Sequence, residues 1–413
     1  MPRLEPAPPV ATLPVPPRSS PMKTPTLIRS LLLPCLLLAG CLGTPREPEY
    51  GRPLPRGVEA LAPVPAGELP GFGHEWAMRH ELLPALEQSL GWMRRPHART
   101  FYPQAGIGYE RSLASLVRMH EILTTAVDRN EFEERVRAEF DVYRSAGWDG
   151  RGGGVLFTAY CTPILDGSPE ETDVYRYPLY ALPEDLVKGQ RGRILGQRTI
   201  DGTTKPYPTR RAIEAGSLLA NQGLELVWLR DAVSAYIAHV NGSAFVAMPD
   251  GSMLRLGYAG KNGRDYTSLG SELVADGMLQ EDQVSLAAIR SWATDNPVRA
   301  RDYMQRNESF VFFTPIDENP HGSLDVPVTG GRSLATDKSI FPRAALTFVD
   351  TVFSVPGTRA TRPFQQFLLD QDTGGAIRTA GRADIYLGIG PRAEQLAGAT
   401  KAPGQLYYLF VKE

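Results

Sequence analysis

The sequence predicts a mainly β protein with accessory helices towards its N-terminal side. Three observations carry that prediction. Glycine (40) and proline (36) are abundant among the 413 residues, which favours turn-rich β structure over a helical bundle. From Gly152 onward, short β-rich runs alternate with Gly/Pro/Asp turns. Before Gly152, apolar residues recur instead at helical spacing. A hydrophobic content of 42% is enough for a large core, and the length suggests about two domains. Charged residues make up 22% with a formal net charge of −2, so the one-sided basic surface that nucleic acid requires is not expected, and nucleic acid is excluded as a partner.

The N-terminus speaks to the compartment. Lys23 and Arg29 precede the apolar run Leu31-Leu-Leu-Pro-Cys-Leu-Leu-Leu-Ala39, which ends in Leu38-Ala39-Gly40-Cys41. Such a run is too short to span a bilayer and reads as the hydrophobic part of a signal peptide. Small residues before Cys41 suit a peptidase pocket, and its thiol is then open to acylation, as in a bacterial lipobox. Leu42 follows, where an Asp would resemble an inner-membrane retention signal, so the outer membrane is expected, with the anchored body in the periplasm. Several acyl chains on one cysteine would hold stably where a single chain would not. Residues 1–41 are thus a signal-peptide region with Met22 as its expected true start, and the Pro- and Gly-rich 42–70 are a tether. With Cys35 and Cys41 accounted for, Cys161 stands alone and no internal disulfide is expected.

Along the body, residues 75–93 and 113–126 have helical spacing, and Asn130 with Glu133 reads as a capping box for a third helix carrying Phe132, Val136, Phe140 and Tyr143. Strands are expected at 155–160, 175–181, 225–229, 235–240, 245–248 and 253–258. A helix pair at 284–293 and 298–305 interrupts them, and strands resume at 309–313, 345–349, 364–369, 383–387 and 406–411.

The six histidines lack metal-ligand spacing, and there is no Gly-x-Ser-x-Gly elbow or phosphate loop. No metal and no cofactor is expected. Gly388-Ile-Gly390 is a lone Gly-x-Gly, and Cys161 in a strand-like run reads as a buried structural thiol. The informative region is the last third, where Asp337, Asp370, Asp372 and Asp384 stand in or beside short apolar strands bounded by glycines. Aspartate is disfavoured inside strands, and a rule broken repeatedly points to a site, although each Asp taken alone could as well cap a turn.

Longer motifs surround these aspartates. Phe157-Thr-Ala-Tyr-Cys-Thr-Pro163 is similar to a Phe-Thr-Gly-Tyr-Tyr-Thr-Pro motif, and Tyr207-Pro-Thr-Arg210 to a Pro-Ser/Thr-Arg segment. Gly257-Tyr-Ala-Gly-Lys-Asn-Gly-Arg-Asp-Tyr-Thr-Ser-Leu-Gly270 and Asn307-Glu-Ser-Phe-Val-Phe-Phe313 continue the series. In this order, over roughly 150–413, the set resembles the membrane-bound lytic murein transglycosylase A family, with its insert domain and C-terminal three-aspartate domain. Two departures are Asn241-Gly-Ser-Ala244 in place of Gln-Gly-Ser-Gly, and Ala159 and Cys161 in place of Gly and Tyr.

The resemblance implies a double-psi β-barrel built from 71–157 and 310–413 with the N-terminal helices, a second β-barrel inserted at 158–309, and a groove between them. It implies cleavage of the β-1,4 bond between N-acetylmuramic acid and N-acetylglucosamine with formation of 1,6-anhydromuramic ends. Asp384 would be the single acid/base and Asp372 its supporting partner. A free Asp titrates near ~3.9, so burial or a second carboxylate must hold Asp384 protonated. Thr158, Tyr160, Asn241, Ser243, Tyr258, Lys261, Asn262, Tyr266 and Ser268 are the expected substrate-binding residues. Implied partners are peptidoglycan glycan strands, the outer membrane through lipidated Cys41, and wall-synthesis complexes. Two other readings compete: a hydrolase using Asp372 or Asp370 to activate water, or a non-catalytic peptidoglycan-binding lipoprotein, which the changes at Asn241 and Ala244 favour.

Overall fold

Strand pairing in the computed structural model, which describes residues 48–413 apart from 190–193, 217, 282–283 and 359, divides the chain into two larger sheets and one small one. The lipobox with Cys41 and the first part of the expected tether lie outside the described residues. Among the described residues no helix is long and apolar enough to cross a membrane.

The chain enters the first sheet, leaves it, and returns. β1 (Leu61–Pro63), β2 (Phe140–Ser145) and β3 (Val155–Thr162) belong to it, so the latter part of the expected tether is instead bound to the fold, with Leu61–Pro63 paired to β2 and Leu61 buried. The next strands build the second sheet: β4 (Ile164–Ser168), β5 (Tyr177–Tyr180), β9 (Glu225–Leu229), β10 (Ala244–Ala247), β11 (Met253–Lys261) and β12 (Val311–Pro315). Between them, β6 (Leu186–Lys188), β7 (Ile194–Arg198) and β8 (Thr204–Lys205) form a small antiparallel sheet. β13 (Ser333–Ala335), β14 (Leu346–Ser354), β15 (Thr361–Asp372), β16 (Arg382–Ile389) and β17 (Lys401–Val411) then complete the first sheet, in the order β1-β2-β17-β14-β15-β13-β16-β3. A further pairing of β3 with β17 closes six of these strands on themselves. In the second sheet an isolated bridge from Ala181 to Phe313 brings the end of β5 to β12.

The expected limits of the insertion, 158 and 309, move outward by a few residues. Thr158 to Thr162 stay in the first sheet because they continue the parallel ladder with β16. Val311 to Pro315 pair with β11 and so belong to the second.

Three helices pack on the first sheet: α1 (Arg79–Met93), α2 (Tyr109–Thr125) and α3 (Arg129–Glu139). Their apolar faces meet Leu346, Phe348, Phe367 and Leu409 of β14, β15 and β17 in one core. The closed face of the sheet holds a second core, in which Phe157, Leu334, Ile385 and Leu406 are fully buried. Each such side chain contributes roughly 1.5–3 kcal/mol.

Local expectations fail at identifiable places. α3 is capped by Asp128, not Asn130: the Asp128 carboxylate accepts from the Asn130 and Glu131 amides at 2.8 and 2.9 Å. Phe140 and Tyr143, expected on that helix, lie in β2, where pairing with β17 takes over. Residues 235–240, expected as a strand, belong to α5 (Ala232–Asn241). The run is apolar on all sides, so its periodicity is mute, but Asp231 caps it and Gly242, at φ 71°, ends it in a left-handed turn. The remaining helices are α4 (Arg210–Gly216), α6 (Leu269–Ala275), α7 (Leu286–Asp295), α8 (Pro297–Met304) and α9 (Pro391–Ala399).

Candidate active site

The site follows from strand register. Ala335 of β13 pairs with Asp384 of β16 on one side and with Asp372 of β15 on the other. On its far side Asp384 pairs with Thr158 of β3. Directly opposed residues share a face, so Asp372, Ala335, Asp384 and Thr158 form one row across the sheet. Two strand spacings separate the aspartates, about 10 Å between backbones, and the small Ala335 between them leaves the space open.

A bulge makes this row possible. Leu334 pairs with Asp370, yet Ala335 pairs with Asp372, so β15 slips by one residue past β13. Without the slip Gln371 would face Ala335, and Asp372 would point the way Asp370 does. The two aspartates, two residues apart, thereby enter opposite environments. Asp370 is fully buried, ion-paired to Lys338, and accepts from Thr336 at 2.7 Å and Tyr408 at 2.8 Å. Burial pushes Asp370 up and Lys338 down, each partner's charge opposing the shift. This pair is sealed in the core, so Asp370 has no access to a substrate water, contrary to the hydrolase reading.

Asp372 stays half-buried at the site. Its Oδ2 accepts from the Tyr160 hydroxyl at 2.6 Å, and its Oδ1 from the amides of Ser323 at 2.7 Å and Thr373 at 2.8 Å. Burial raises its carboxyl and these hydrogen bonds oppose the rise. Asp337 is committed elsewhere: it accepts from the Ser339 amide and hydroxyl and the Thr379 amide, and despite burial these hydrogen bonds hold it below the usual range.

Asp384 differs from all three. Its Oδ1 is buried without a hydrogen-bond partner among the described residues. Burial raises its carboxyl to about 6, against the lowering effects of the Thr158 hydroxyl and the Arg382 charge, while Asp372 adds to the rise. Such a carboxyl holds a proton near neutral pH and can deliver it to a leaving oxygen.

Aromatic side chains surround the row. Tyr160 packs on Tyr386 with ring centroids 5.1 Å apart, and burial followed by Asp372 pushes its hydroxyl well above the ordinary range. Tyr386 is held by Thr162 at 2.9 Å, and Thr162 by Ser243 at 3.0 Å. From the second sheet's side, Tyr266 is near enough to feel the charges of Asp384 and Arg382. Tyr258, 49% exposed, feels Asp372, and burial of its hydroxyl pushes it up to about 12. Lys261 is half-buried, its ammonium lowered by burial and then by Arg378.

Of the expected substrate-binding residues, Thr158, Tyr160, Tyr258 and Tyr266 therefore gather around Asp372 and Asp384, while Lys261 feels Arg378 and Asp265. Four do not present themselves to a ligand. Asn241 turns inward: its Oδ1 accepts from the Cys161 amide at 3.2 Å and its Nδ2 donates to the Ile237 carbonyl at 2.9 Å. Ser243 is buried on Thr162. Asn262 is buried, donating to the carbonyls of Pro208 and Glu308, both at 2.8 Å, and accepting from the Phe310 amide at 2.9 Å. Ser268 caps α6 through the Ser271 amide at 3.3 Å. Cys161 is buried, and desolvation pushes its thiol up to about 12, as a structural role requires. Gly388-Ile-Gly390 is structural too: Gly388, at φ 101°, lies within β16 where its register shifts, and a Cβ on Gly330 would sit 3.1 Å from Gly388 Cα. Among the described residues no three His, Cys, Asp or Glu side chains form a group that could hold a metal ion.

Sequence reasoning passed over Arg382, Ala335 and Tyr386. The available signal was alternation: Arg382 and Tyr386 lie two residues either side of Asp384 in a strand and so share its face.

Known proteins resemble this chain in sequence and in fold. The family model described as the MltA specific insert domain matches residues 156–314, and the one described as the 3D domain matches 332–410. The membrane-bound lytic murein transglycosylase A of Vibrio cholerae is 33% identical over 267 residues, 64% of this chain and 67% of that protein. The Escherichia coli K12 protein of the same name is 31% identical over 273 residues, 65% of this chain and 69% of its own. The crystal structure of a membrane-bound lytic murein transglycosylase from Agrobacterium tumefaciens superposes with a TM-score of 0.71 at 27% identity, covering 85% of this chain and 98% of that one. Escherichia coli MltA with bound chitohexaose, at 24% identity, shares the fold with a TM-score of 0.66 over 89% of this chain and 98% of its own.

Proposed function

The chain belongs to the membrane-bound lytic murein transglycosylase A family, and from that premise we propose that it cleaves peptidoglycan glycan strands without hydrolysis, using Asp384 as its single acid/base. The bond broken is the β-1,4 link between N-acetylmuramic acid and N-acetylglucosamine, and the new end is 1,6-anhydromuramic acid. One observation carries the assignment of Asp384. It is the aspartate of the row whose buried oxygen lacks a partner, and its carboxyl titrates at about 6.

The chemistry fits one carboxyl. Protonated Asp384 donates to the glycosidic oxygen as the bond to C1 breaks. The resulting carboxylate accepts the proton of the muramic C6 hydroxyl while that oxygen attacks C1 and closes the anhydro ring. An intramolecular nucleophile carries an effective concentration of about 10⁵ M or more when well oriented, so no second carboxylate is needed to activate water, unlike in most glycosidases. Asp372, held in place by Tyr160 and two amides, adds to the rise of the Asp384 carboxyl and so supports its protonated form. The Tyr160, Tyr258 and Tyr266 rings supply flat faces for sugars.

The closed circuit of six strands is the double-psi barrel that the family resemblance implies, and the second sheet the inserted barrel, with the glycan lying between them. Cys41 carries the lipid that holds the body at the outer membrane, facing the periplasm.

Mass analysis of sacculi digested with protein lacking residues 1–41 tests the reading. Anhydro-muropeptides are expected from the wild type and none from Asp384→Asn. Free reducing ends, or full activity in Asp384→Asn, would refute it.

A further inference from the structure

Arg382 lies two residues before Asp384 on β16, so the two share a strand face about 7 Å apart along the backbone. An arginine has the reach to pair with such a neighbour, yet Arg382 makes no ion pair among the described residues. Its guanidinium crosses instead to β3, where Nη2 donates to the Thr158 hydroxyl at 3.3 Å, and its Nε is buried without a partner. Thr158 is the residue that stands opposite Asp384 in the β3–β16 ladder. A threonine hydroxyl accepts through its oxygen and donates its one proton. With the oxygen taken by Arg382, the proton is left for the carboxyl beside it, and that hydrogen bond is among the influences that lower Asp384. Oδ1 of Asp384 has no partner, so the hydroxyl holds the other oxygen and leaves Oδ1 unclaimed.

The indirect route has a chemical reason. An arginine touching Asp384 would pull its carboxyl down by about 1–3 pH units, which would leave the acid ionised at neutral pH. A neutral hydroxyl placed between them passes on direction while keeping the full charge at a distance. The other titratable groups near Asp384 are Asp372 on β15, Tyr160 and Cys161 on β3, Tyr386 on its own strand and Tyr266 before α6. Arg382 is the one cation among these groups.

Resting on the transglycosylase reading above, we propose that Arg382 is a positioning residue: by holding the Thr158 hydroxyl it fixes the orientation of the Asp384 carboxyl. The same carboxyl oxygen then faces the glycosidic oxygen in the first half of the reaction and the C6 hydroxyl in the second. Arg382 itself touches no reacting atom. Thr158 carries its constraint to the acid, and both must be present for the carboxyl to be held.

The test measures kcat and KM for anhydro-end formation on soluble glycan strands from pH 5 to pH 8, with thermal melts confirming that each variant folds. Arg382→Met and Thr158→Val should each lower kcat about tenfold while KM stays within about twofold. In both, the falling limb of the pH profile should move to higher pH, because each loses an influence that lowers the carboxyl. Thr158→Ser keeps the hydroxyl and should recover most of the rate. The double variant should again lose about tenfold, not about a hundredfold, because the two residues act in series. An unchanged kcat at pH 5 in Arg382→Met, where the acid is protonated with or without the arginine, would show that this residue acts through charge alone and overturn the proposal. Multiplied losses in the double variant, or an effect confined to KM, would overturn it too. Carbon-13 NMR of the Asp384 carboxyl addresses the contact without turnover: its titration midpoint should rise in both variants, and a midpoint unmoved by Thr158→Val would refute the hold. A wild type that forms no anhydro ends overturns the transglycosylase reading, and the NMR midpoints then still decide whether Arg382 and Thr158 hold Asp384.

Discussion

Replacing Asp384 by Asn should make the protein more stable as it makes it inactive, and the gain should depend on pH in a defined way. In the folded chain this carboxyl titrates at about 6 instead of 3.8. Each pKa unit corresponds to 1.36 kcal/mol, so keeping the side chain ionised costs on the order of 3 kcal/mol. Asp384 retains partial solvent contact, which screens the effect, and about 1.5 kcal/mol is a reasonable lower figure. The sign follows from proton uptake. Between pH 3.8 and about 6 the folded state holds a proton that the unfolded chain has released, so wild-type stability falls as pH rises through that window and stays lower above it. Asn carries no charge and skips this loss. Thermal or urea melts of both proteins, lacking residues 1–41, from pH 4 to pH 8 should therefore diverge. The stability difference in favour of Asn should grow by about 1.5–3 kcal/mol between pH 4 and pH 6.5 and then level off. Other buried acids, among them Asp370, Asp372 and Glu75, titrate in both proteins and largely cancel in the difference. A difference that is the same at pH 4 and pH 7 would refute the claim that burial holds this carboxyl protonated.

The remaining predictions concern the groups around that acid. If protonated Asp384 is the acid, kcat/KM should fall roughly tenfold per pH unit above about 6, and a flat profile from pH 6 to pH 8 would exclude it. Tyr160→Phe removes one of the three hydrogen bonds to Asp372, which makes Asp372 easier to protonate and weakens its repulsion on Asp384. Activity should drop by roughly three- to tenfold, and the falling limb of the pH profile should move to lower pH; a shift to higher pH would contradict the assigned roles. Lys338→Met leaves Asp370 buried and unpaired and should destabilise by about 3–5 kcal/mol in denaturant melts, whereas a variant as stable as wild type would show that the pair does not hold the core.

Much of this architecture can be read from residue order, and the failures have physical causes. Strands 383–387 and 406–411 and helices 75–93 and 113–126 have clean periodicity, and the structure has elements at all four. Residues 235–240 form a helix that periodicity does not reveal, because 235–239 are all buried, and only Asp231 and Gly242 at its ends mark it. Asp384 and Asp372 stood out through their unfavourable place in strands. That Asp370 and Asp372 face opposite ways depends on one slipped register between β13 and β15, which sequence spacing cannot express. Asn241, Ser243, Asn262 and Ser268 sit in the right motifs but spend their hydrogen bonds on the backbone and on Thr162, a distinction that needs coordinates. Arg382 was legible in principle, two residues from Asp384 in a strand, but an Arg there says nothing until its lack of a partner is known.

The disposition of the four aspartates bears on why one carboxyl should suffice. Asp337 and Asp370 each have both oxygens engaged, the first by a turn and the second by Lys338, Thr336 and Tyr408. Asp372 also has both oxygens engaged, and those hydrogen bonds favour its charged form. To serve as a hydrolytic base Asp372 would have to turn a lone pair to a water while keeping Tyr160 and two amides, and each proton it accepted would weaken all three bonds. Asp384 has the opposite character: one oxygen is unclaimed, and either protonation state can be occupied near neutral pH. A reaction that returns the borrowed proton within the same turnover, from the sugar's own C6 hydroxyl, needs just one group of that kind. The row Asp372-Ala335-Asp384-Thr158 supplies one adaptable carboxyl and one carboxyl fixed in place by three hydrogen bonds, which suits ring closure on the muramic acid better than attack by water.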